Sequence, residues 1–369
     1  MTEYQICNRC IMDNKSDPLI RFNEKGICNH CEDYDAVVAK LPKTEEERKR
    51  KFDELISEMK QHGKGKEFDC VLGISGGVDS AYLTYIAKKA GLRILAVHVD
   101  AGWNTDTAVE NIKKLCSKLE IELHTIVVDW NTMKELQRAY MFSGLPNLDV
   151  PQDHAFLAAT YKYAMKYGIR YMLNGSNHQT EGILPPNYGY TAIDLRNLKD
   201  VYRKCGRGRV SLRKYPQMNV ITYSLMYMGR TKRINLLNYV PYSKKMAIDF
   251  LHKEFDWNYY GGKHFESRFT KFFQSYYLPR KFGYEKKRAH ISSLIVGGEI
   301  DRDEGLRQMA DNSTYPESQM LEDRDYIMKK LDISSEEWDV LMAAPNKSED
   351  DYKNNKRLIA FMAAVKHRM

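Results

Sequence analysis

The stretch "VLGISGGVDSAYL", residues 71–83, decides how the chain folds. An apolar run, "FDCVLGIS" (68–75), ends at Gly76 and Gly77, and "AYLTYIAKKAGL" follows with Leu83, Ile86, Ala87 and Ala90 at helical spacing until Gly91 stops it. This is the pattern of a strand, a tight turn and a helix. Without Cβ atoms, Gly76 and Gly77 let the backbone turn sharply and come close to a ligand. The next helix aims its free N–H groups and the positive end of its dipole at the turn, which favours a phosphate. Ser75 and Ser80 offer hydroxyls, Val78 opens the helix, and Asp79 is placed either to cap it or to bind magnesium. The string is neither G-x-x-x-x-G-K-[ST] nor G-x-G-x-x-G. Glycine content alone also fits a plain structural connection.

Outward from this loop, apolar runs alternate with helical patterns. "RILAVHVD" (93–100) and "LHTIVVDW" (123–130) read as the second and third strands, with "TDTAVENIKKLCSKLEI" as a helix between them. "DHAFLAATYKYAMKYG" reads as a helix, "IRYMLNG" (169–175) as a fourth strand, "RINLLNYV" (233–240) as a fifth, and "YSKKMAIDFLHKEF" as its helix. The alternation predicts an α/β fold with a doubly wound, mainly parallel five-stranded sheet over 63–256, whose ligands gather at the carboxyl ends of the strands. Residues 257–369 show no strand pattern and read as a helical region rich in aromatics and cations.

Residues 1–62 form a third unit. "CNRC" (Cys7, Cys10) and "CNHC" (Cys28, Cys31) bring two thiolate knuckles to one tetrahedral shell, the spacing of structural zinc, with an iron–sulfur cluster as the alternative. His30 reads as a bystander. Cys70 and Cys116 read as core thiols, and Cys205, among arginines, is the one candidate for a reactive thiol.

The 369 residues are 43% hydrophobic and 29% charged, with no apolar run long enough for a membrane helix and no signal-peptide stretch at the start, so a cytoplasmic protein without a membrane partner is expected. A formal charge of +8 implies anionic partners. The densest cationic stretch, Lys199–Lys214, reads as a loop because of its glycines.

"SGGVDS" (75–80), after a strand and opening a helix, resembles the pyrophosphate loop of the ATP pyrophosphatases, the PP-loop superfamily with the adenine-nucleotide α-hydrolase fold. The resemblance implies ATP and Mg2+ as cofactors and cleavage between the α and β phosphates, AMP going to a carbonyl oxygen of the substrate. It also places Asp100 near the nucleotide, and it makes "NGSNHQTEG" (174–182) a second loop near the α phosphate, with Gly175, Ser176, Asn177, His178 and Glu181 as contacts. Taken end to end, "CNRCIMDN", "GICNHCEDYD", the loop, "NHQTEG" and "YYGGKHFESRFTKFFQSYYLPRKFGYEKKRAHISSLI" make the chain similar to the N-acetyl sugar amidotransferase family of bacterial surface-polysaccharide biosynthesis. That resemblance implies conversion of an N-acetyl group on a nucleotide-linked sugar into an acetamidino group. It implies ammonia from a partner glutaminase like that of histidine biosynthesis, with a cyclase-like companion.

On this reading Asp79, Glu181, Lys263 and His264 are the catalytic candidates. Lys263, His264 and Arg268 are set to meet phosphate or sugar-acid groups. Tyr259, Tyr260 and Phe265 read as core aromatics, with stacking on substrate as the other option. Asp153 and His154 are candidates for positioning the substrate, Asp153 equally for a helix cap. Two rivals remain: a tRNA-modifying enzyme of the same superfamily, against which the scattered free cysteines and the C-terminal string weigh, and a zinc-ribbon protein that only senses ATP.

Overall fold

The computed structural model describes residues 3–226 and 231–368. In chain order, α1 (Asn29–Val38) and α2 (Glu45–Gly63) precede β1 (Cys70–Gly73), α3 (Val78–Lys89), β2 (Ile94–Asp100), α4 (Asp106–Lys118), β3 (Glu122–Val127), α5 (Trp130–Met141), α6 (Val150–Lys166) and β4 (Tyr171–Leu173). Then come α7 (His178–Glu181), α8 (Leu195–Cys205), α9 (Val220–Leu225), β5 (Lys232–Ile234) and α10 (Lys244–Phe255). The C-terminal region holds α11 (Arg268–Phe272), α12 (Leu278–Phe282), α13 (Lys286–Val296), α14 (Arg302–Ala310), α15 (Glu317–Lys330), α16 (Ser335–Ala343) and α17 (Lys356–Arg368).

The five strands form one parallel sheet in the order β3-β2-β1-β4-β5. Its central strands are apolar on both faces because both are covered. Cys70 and Leu72, Ile94 and Ala96, Tyr171 and Leu173 point to the face packed by α2, α3, α4 and α10. Val71, Leu95, Val97 and Met172 point to the other face, packed by α6 and α9. The sheet is doubly wound as the alternation predicts, and the chain reverses its direction of winding between β1 and β4. The crevice above those two strands is where such sheets bind ligands.

Two details differ from the sequence reading. The fifth strand is short: after Ile234 the chain turns at Asn235 into a 3-10 turn, Leu236–Tyr239, which buries Leu236 and Leu237 under the sheet's α2 face. A strand with one neighbour gains little from extending, so burying two leucines prevails. The cationic stretch is half helix: Asp194 caps α8 by accepting from the Arg196 and Asn197 N–H groups at 3.0 and 3.3 Å. Asp200 pairs with Arg203 and Lys204, and Arg207 pairs with Glu135.

The C-terminal helices share a core with α5, α6 and α8 in which Phe269, Phe272, Phe273 and Tyr277 are buried. They are tied to the sheet's carboxyl end by Arg268 N–H to Trp103 O (2.9 Å) and Thr105 N–H to Glu266 O (2.9 Å). The cysteine knuckles pack beside Ile183, Tyr188 and Ala289 of α13. Arg288 donates to Ile11 O at 2.8 Å, and Arg302 donates to the carbonyls of Cys7 and Cys10 at 3.1 Å. No described helix is long and apolar enough to cross a membrane.

Candidate active site

The loop after β1 is built from its own hydroxyls. Ser75 Oγ accepts from the Gly77 N–H (3.2 Å), and Ser80 Oγ donates to Gly77 O (3.0 Å). Gly77 is the residue before α3 and has no side chain to cap it, so the first turn of α3 opens on the cavity that Ser75, Gly77, Val78, Asp79 and Ser80 line, with the Tyr260 hydroxyl at the Val78 N–H. Gly76 sits at φ +85°, and a Cβ there would stand 2.9 Å from Ala108 O. The second loop touches the first: a Cβ on Gly175 would stand 3.1 Å from the Ser80 nitrogen, so any larger residue there would force the two loops apart by a few tenths of an ångström.

Asp79 does not cap the helix. Its carboxylate accepts from Tyr242 Oη and from Asn177 Nδ2 (3.4 Å), and its other oxygen lies 3.8 Å from Lys263 Nζ. Lys263 makes its close pair with Glu181, at 2.8 Å. Asn177 also caps α7, accepting from the Thr180 N–H at 2.9 Å. One ammonium therefore sits between two carboxylates from different strands' loops. Burial pushes the Asp79 carboxyl up, and Lys263 only partly offsets this. Burial would raise Glu181 too, but Lys263 at close range holds it below the usual carboxylate range. Burial would depress Lys263, and the two acids, Glu181 first, keep it above its ordinary value.

Residues 259–266 cross the cavity as a strip. Tyr260, Gly262, Lys263, His264 and Glu266 line the loop cavity, and Tyr259, Lys263 and Phe265 line a second cavity on the other side. Of the three aromatics expected in the core, Tyr259 and Phe265 are cavity walls and Tyr260 both lines the loop cavity and packs against the core beneath it, whereas the aromatics of α11 and the turn after it are core. His264 holds a left-handed φ of +63°, a conformation that costs a non-glycine residue about 1 kcal/mol and persists where surroundings impose it. Its Nδ1 is 3.7 Å from Glu266 Oε1. Glu266 Oε1 is 3.3 Å from where a Cβ on Gly77 would stand, and its buried Oε2 has no hydrogen-bond partner among the described residues. Burial opposes ionisation of Glu266, but the His264 contact holds its carboxyl low.

Glu266, Tyr242, Lys244 and Arg233 were not singled out from sequence, yet all but Tyr242 line the cavity and Tyr242 holds Asp79. Only Glu266 had a signal, its place in "GGKHFE". Ser176 lines the cavity as expected. Asp100 does not: its Oδ1 accepts from the Gly102 N–H at 2.8 Å, closing the turn after β2. His178 also lies outside the lining, its N–H donating to Asn238 Oδ1 at 3.0 Å. His154 is wholly committed to backbone, with Nδ1 on Ala192 O (2.7 Å) and Nε2 accepting from the Met218 N–H (3.1 Å). Arg268 pairs with Asp323 at 2.5 Å and covers the Tyr326 ring, so it is structural. Asp153 is pushed up to about 7 by burial and by neighbouring Asp149. Cys205 lies 3.4 Å from Tyr352 Oη and lines neither cavity.

The four sulfurs of Cys7, Cys10, Cys28 and Cys31 lie within 4.8 Å of one another. The separations of 3.7–3.9 Å given by Cys7–Cys31, Cys10–Cys28 and Cys28–Cys31 match the roughly 3.8 Å edge of a tetrahedron with metal–sulfur bonds of about 2.3 Å. The Arg9 and Met12 N–H groups point at Cys7 and Cys10 sulfurs at 3.4 Å, as around thiolates. The residues fit zinc. His30 is no ligand; its Nε2 meets Asp17 Oδ2 at 2.6 Å.

Comparison with known proteins agrees with this geometry. Residues 69–188 match the family model described as queuosine biosynthesis protein QueC, and residues 266–366 match the C-terminal domain of LPS biosynthesis protein WbpG-like proteins. The chain thus carries a QueC-like region of the PP-loop ATP pyrophosphatase kind over residues 69–188 and a WbpG-like C-terminal domain over residues 266–366. Its PP-loop region is 30% identical over 118 residues to a tRNA(Ile)-lysidine synthase of Chlamydia pneumoniae, covering 31% of this chain and 34% of that one. It is 26% identical over 156 residues to an NH(3)-dependent NAD(+) synthetase of Methanococcoides burtonii, covering 39% of this chain and 56% of that one. The chain thus spans between a third and somewhat over half the length of these relatives. A solved NMN synthetase from Francisella tularensis aligns over 57% of this chain and 94% of its own, at 17% identity and a TM-score of 0.30. The WbpG-like match opens at Glu266, the residue that faces the PP-loop.

Proposed function

We propose that this PP-loop protein is an ATP-dependent amidotransferase acting on the N-acetyl group of a nucleotide-linked sugar in the biosynthesis of lipopolysaccharide or a related glycan. The observation that carries the reading is the union of two matched parts at one cavity: a PP-loop and a strip that leads into a WbpG-like domain. PP-loop relatives named for ammonia-dependent synthesis support carbon–nitrogen bond formation.

An acetamido carbon is a poor electrophile because the nitrogen lone pair is delocalised into the carbonyl. In the proposed reaction its oxygen attacks the α phosphorus of ATP and pyrophosphate leaves, giving an imidate. Ammonia adds to the imidate carbon, a proton is lost, and AMP departs with the former carbonyl oxygen, leaving an acetamidino group. The α3 N–H groups with Ser75 and Ser80 hold the departing phosphates. Asp79 and Glu181 are the carboxylates that would hold magnesium, which supplies charge neutralisation on the phosphates when bound. Lys263 and His264 lie where charge develops between nucleotide and acceptor, and the strip keeps water from the imidate. Ammonia comes from a separate glutaminase subunit resembling that of histidine biosynthesis, with a cyclase-like companion, and zinc at the four cysteines is structural.

The test incubates the protein with ATP, magnesium, ammonium and UDP-linked N-acetylated sugar acids whose acetamido oxygen is 18O. The expected products are a sugar nucleotide lighter than the labelled substrate by the difference between 18O and NH, and AMP carrying the label. AMP formed only when tRNA is added would replace this reading with that of a tRNA-modifying enzyme, which the lysidine synthase similarity supports.

A further inference from the structure

The second cavity, about 640 Å3, lies across the strip from the PP-loop cavity, and Lys244, Gly262 and Lys263 belong to both walls. Its charges are mostly matched. Lys271 pairs with Asp323 at 3.0 Å, Arg280 with Glu317 at 2.6 Å, and Glu285 with Arg288 at 2.8 Å. Lys287 donates to the Met309 and Asp311 carbonyls, and Asp311 Oδ1 accepts from the Ser313 N–H at 2.8 Å.

Lys244, Lys286 and His290 remain. Among the described residues no acid lies within ion-pair range of Lys244 or Lys286; Lys244 Nζ stands 5.6 Å over the Tyr259 ring. The His290 ring makes no hydrogen bond with a described residue and lies 5.5 Å from that of His264. Burial depresses all three, and for His290 the neighbouring Lys263, His264, Lys286 and Lys244 add to the effect. Asp149, Asp153 and Glu181 act on Lys286 only from a distance. Half-buried lysines without acids are costly unless an anion completes them, and a neutral His290 ring N–H can donate to the same anion. Tyr259, 39% exposed, and Phe265 give the same cavity two aromatic faces.

The geometry points to this cavity as the acceptor's own binding site, taking a nucleoside diphosphate group through Lys244, Lys286 and His290, with Tyr259 and Phe265 against its flat or apolar parts. This rests on the proposed function for the identity of the acceptor, but the site is separate from the one that holds ATP. The shared wall at Lys263 lets an acceptor seated here present its far end to the α phosphate.

Calorimetric titration of the full chain tests it, with UDP as the acceptor probe, α,β-methylene-ATP with magnesium as the loop probe, and inorganic pyrophosphate as a control. UDP should bind the analogue-saturated chain within about twofold of its affinity for the free chain, while pyrophosphate is blocked by the analogue. Lys286→Met should weaken UDP by about tenfold or more and His290→Gln by about three- to tenfold, each leaving the analogue's affinity within about twofold. Competition between UDP and the analogue, failure of UDP to bind, or normal UDP binding by both variants would each overturn the assignment, and the competition arm needs no variant. UDP bound as expected without amidine formation leaves the cavity standing and removes the reaction. Amidine formation with an acceptor KM that neither variant changes does the reverse.

Discussion

Glu181→Gln isolates the charge that holds Lys263. The substitution keeps size and shape and removes one negative charge 2.8 Å from the ammonium, leaving Asp79 at 3.8 Å. At an effective dielectric of about 20 the two attractions are worth roughly 6 and 4 kcal/mol before dehydration is counted. Taking ions out of water costs several kcal/mol each, and breaking a fully buried pair costs about 3–5 kcal/mol net. Here Lys263 and Glu181 side chains keep 14% and 28% exposure and Asp79 remains as a second partner, so a loss of about 2 kcal/mol is expected. Urea unfolding of both proteins at neutral pH reads it. The pH dependence gives a sharper check. Glu181 is held below its ordinary 4.5, so its contribution is present above that pH and is lost as pH falls through the lower folded value. The gap between wild type and variant should therefore hold from neutrality to about pH 5 and close below it. Asp79 runs the other way: burial, with Glu181 adding to it, raises its carboxyl, which favours the fold at low pH and loses that contribution as pH rises, and the variant, lacking the Glu181 charge, should show this less. A variant within about 0.5 kcal/mol of wild type, or a gap that widens on acidification, would refute the idea that Glu181 carries the ammonium.

Asp79→Ala should abolish both AMP and amidine formation in the labelled-oxygen assay, because it removes a candidate magnesium ligand and the acceptor of Tyr242 while leaving Lys263 paired with Glu181. Gly175→Ala should destabilise by about 1–3 kcal/mol and weaken ATP, since its Cβ would meet the Ser80 nitrogen at 3.1 Å; unaltered ATP affinity in isothermal titration would count against the two-loop contact. Cys10→Ser should lower bound metal, measured by atomic emission, and raise hydrogen exchange in α13 and α14, which meet the knuckles through Arg288 and Arg302. Cys205→Ser should leave AMP formation unchanged; its loss would reopen a sulfur-transfer reading.

Much of the fold was legible because local chemistry and global packing agree there. The string 71–83 carries strand, turn and helix in one place, and the buried strands are apolar on both faces because helices cover both. The four cysteines were readable for a similar reason, since two short spacings fix two tight turns and only the pairing of the turns is long-range. The misplaced readings share the opposite character. His154 looks like a site residue in sequence, but its two nitrogens are consumed by backbone groups 38 and 64 residues away. Arg268 reads in sequence as a contact for phosphate or sugar-acid groups, but Asp323 of α15, 55 residues away, takes its guanidinium.

The same logic explains why the C-terminal strip was readable in part. Lys263 and His264 stand out beside two glycines, but what they do depends on partners that sequence does not place near them: Glu181 from the second loop, Asp79 from α3, Lys244 from α10. Glu266 is the instructive case. A carboxylate aimed at a phosphate cradle is repelled by any phosphate there unless a cation stands between them, so its buried, unpartnered Oε2 belongs to the loaded state of the site rather than to the stability of the fold. Glu266→Gln should then leave urea stability within about 0.5 kcal/mol while moving the magnesium concentration at which ATP binding is half-complete. A large stability loss with no change in magnesium dependence would make Glu266 a structural partner of His264 instead, and the strip would be a wall of the cavity rather than part of its machinery.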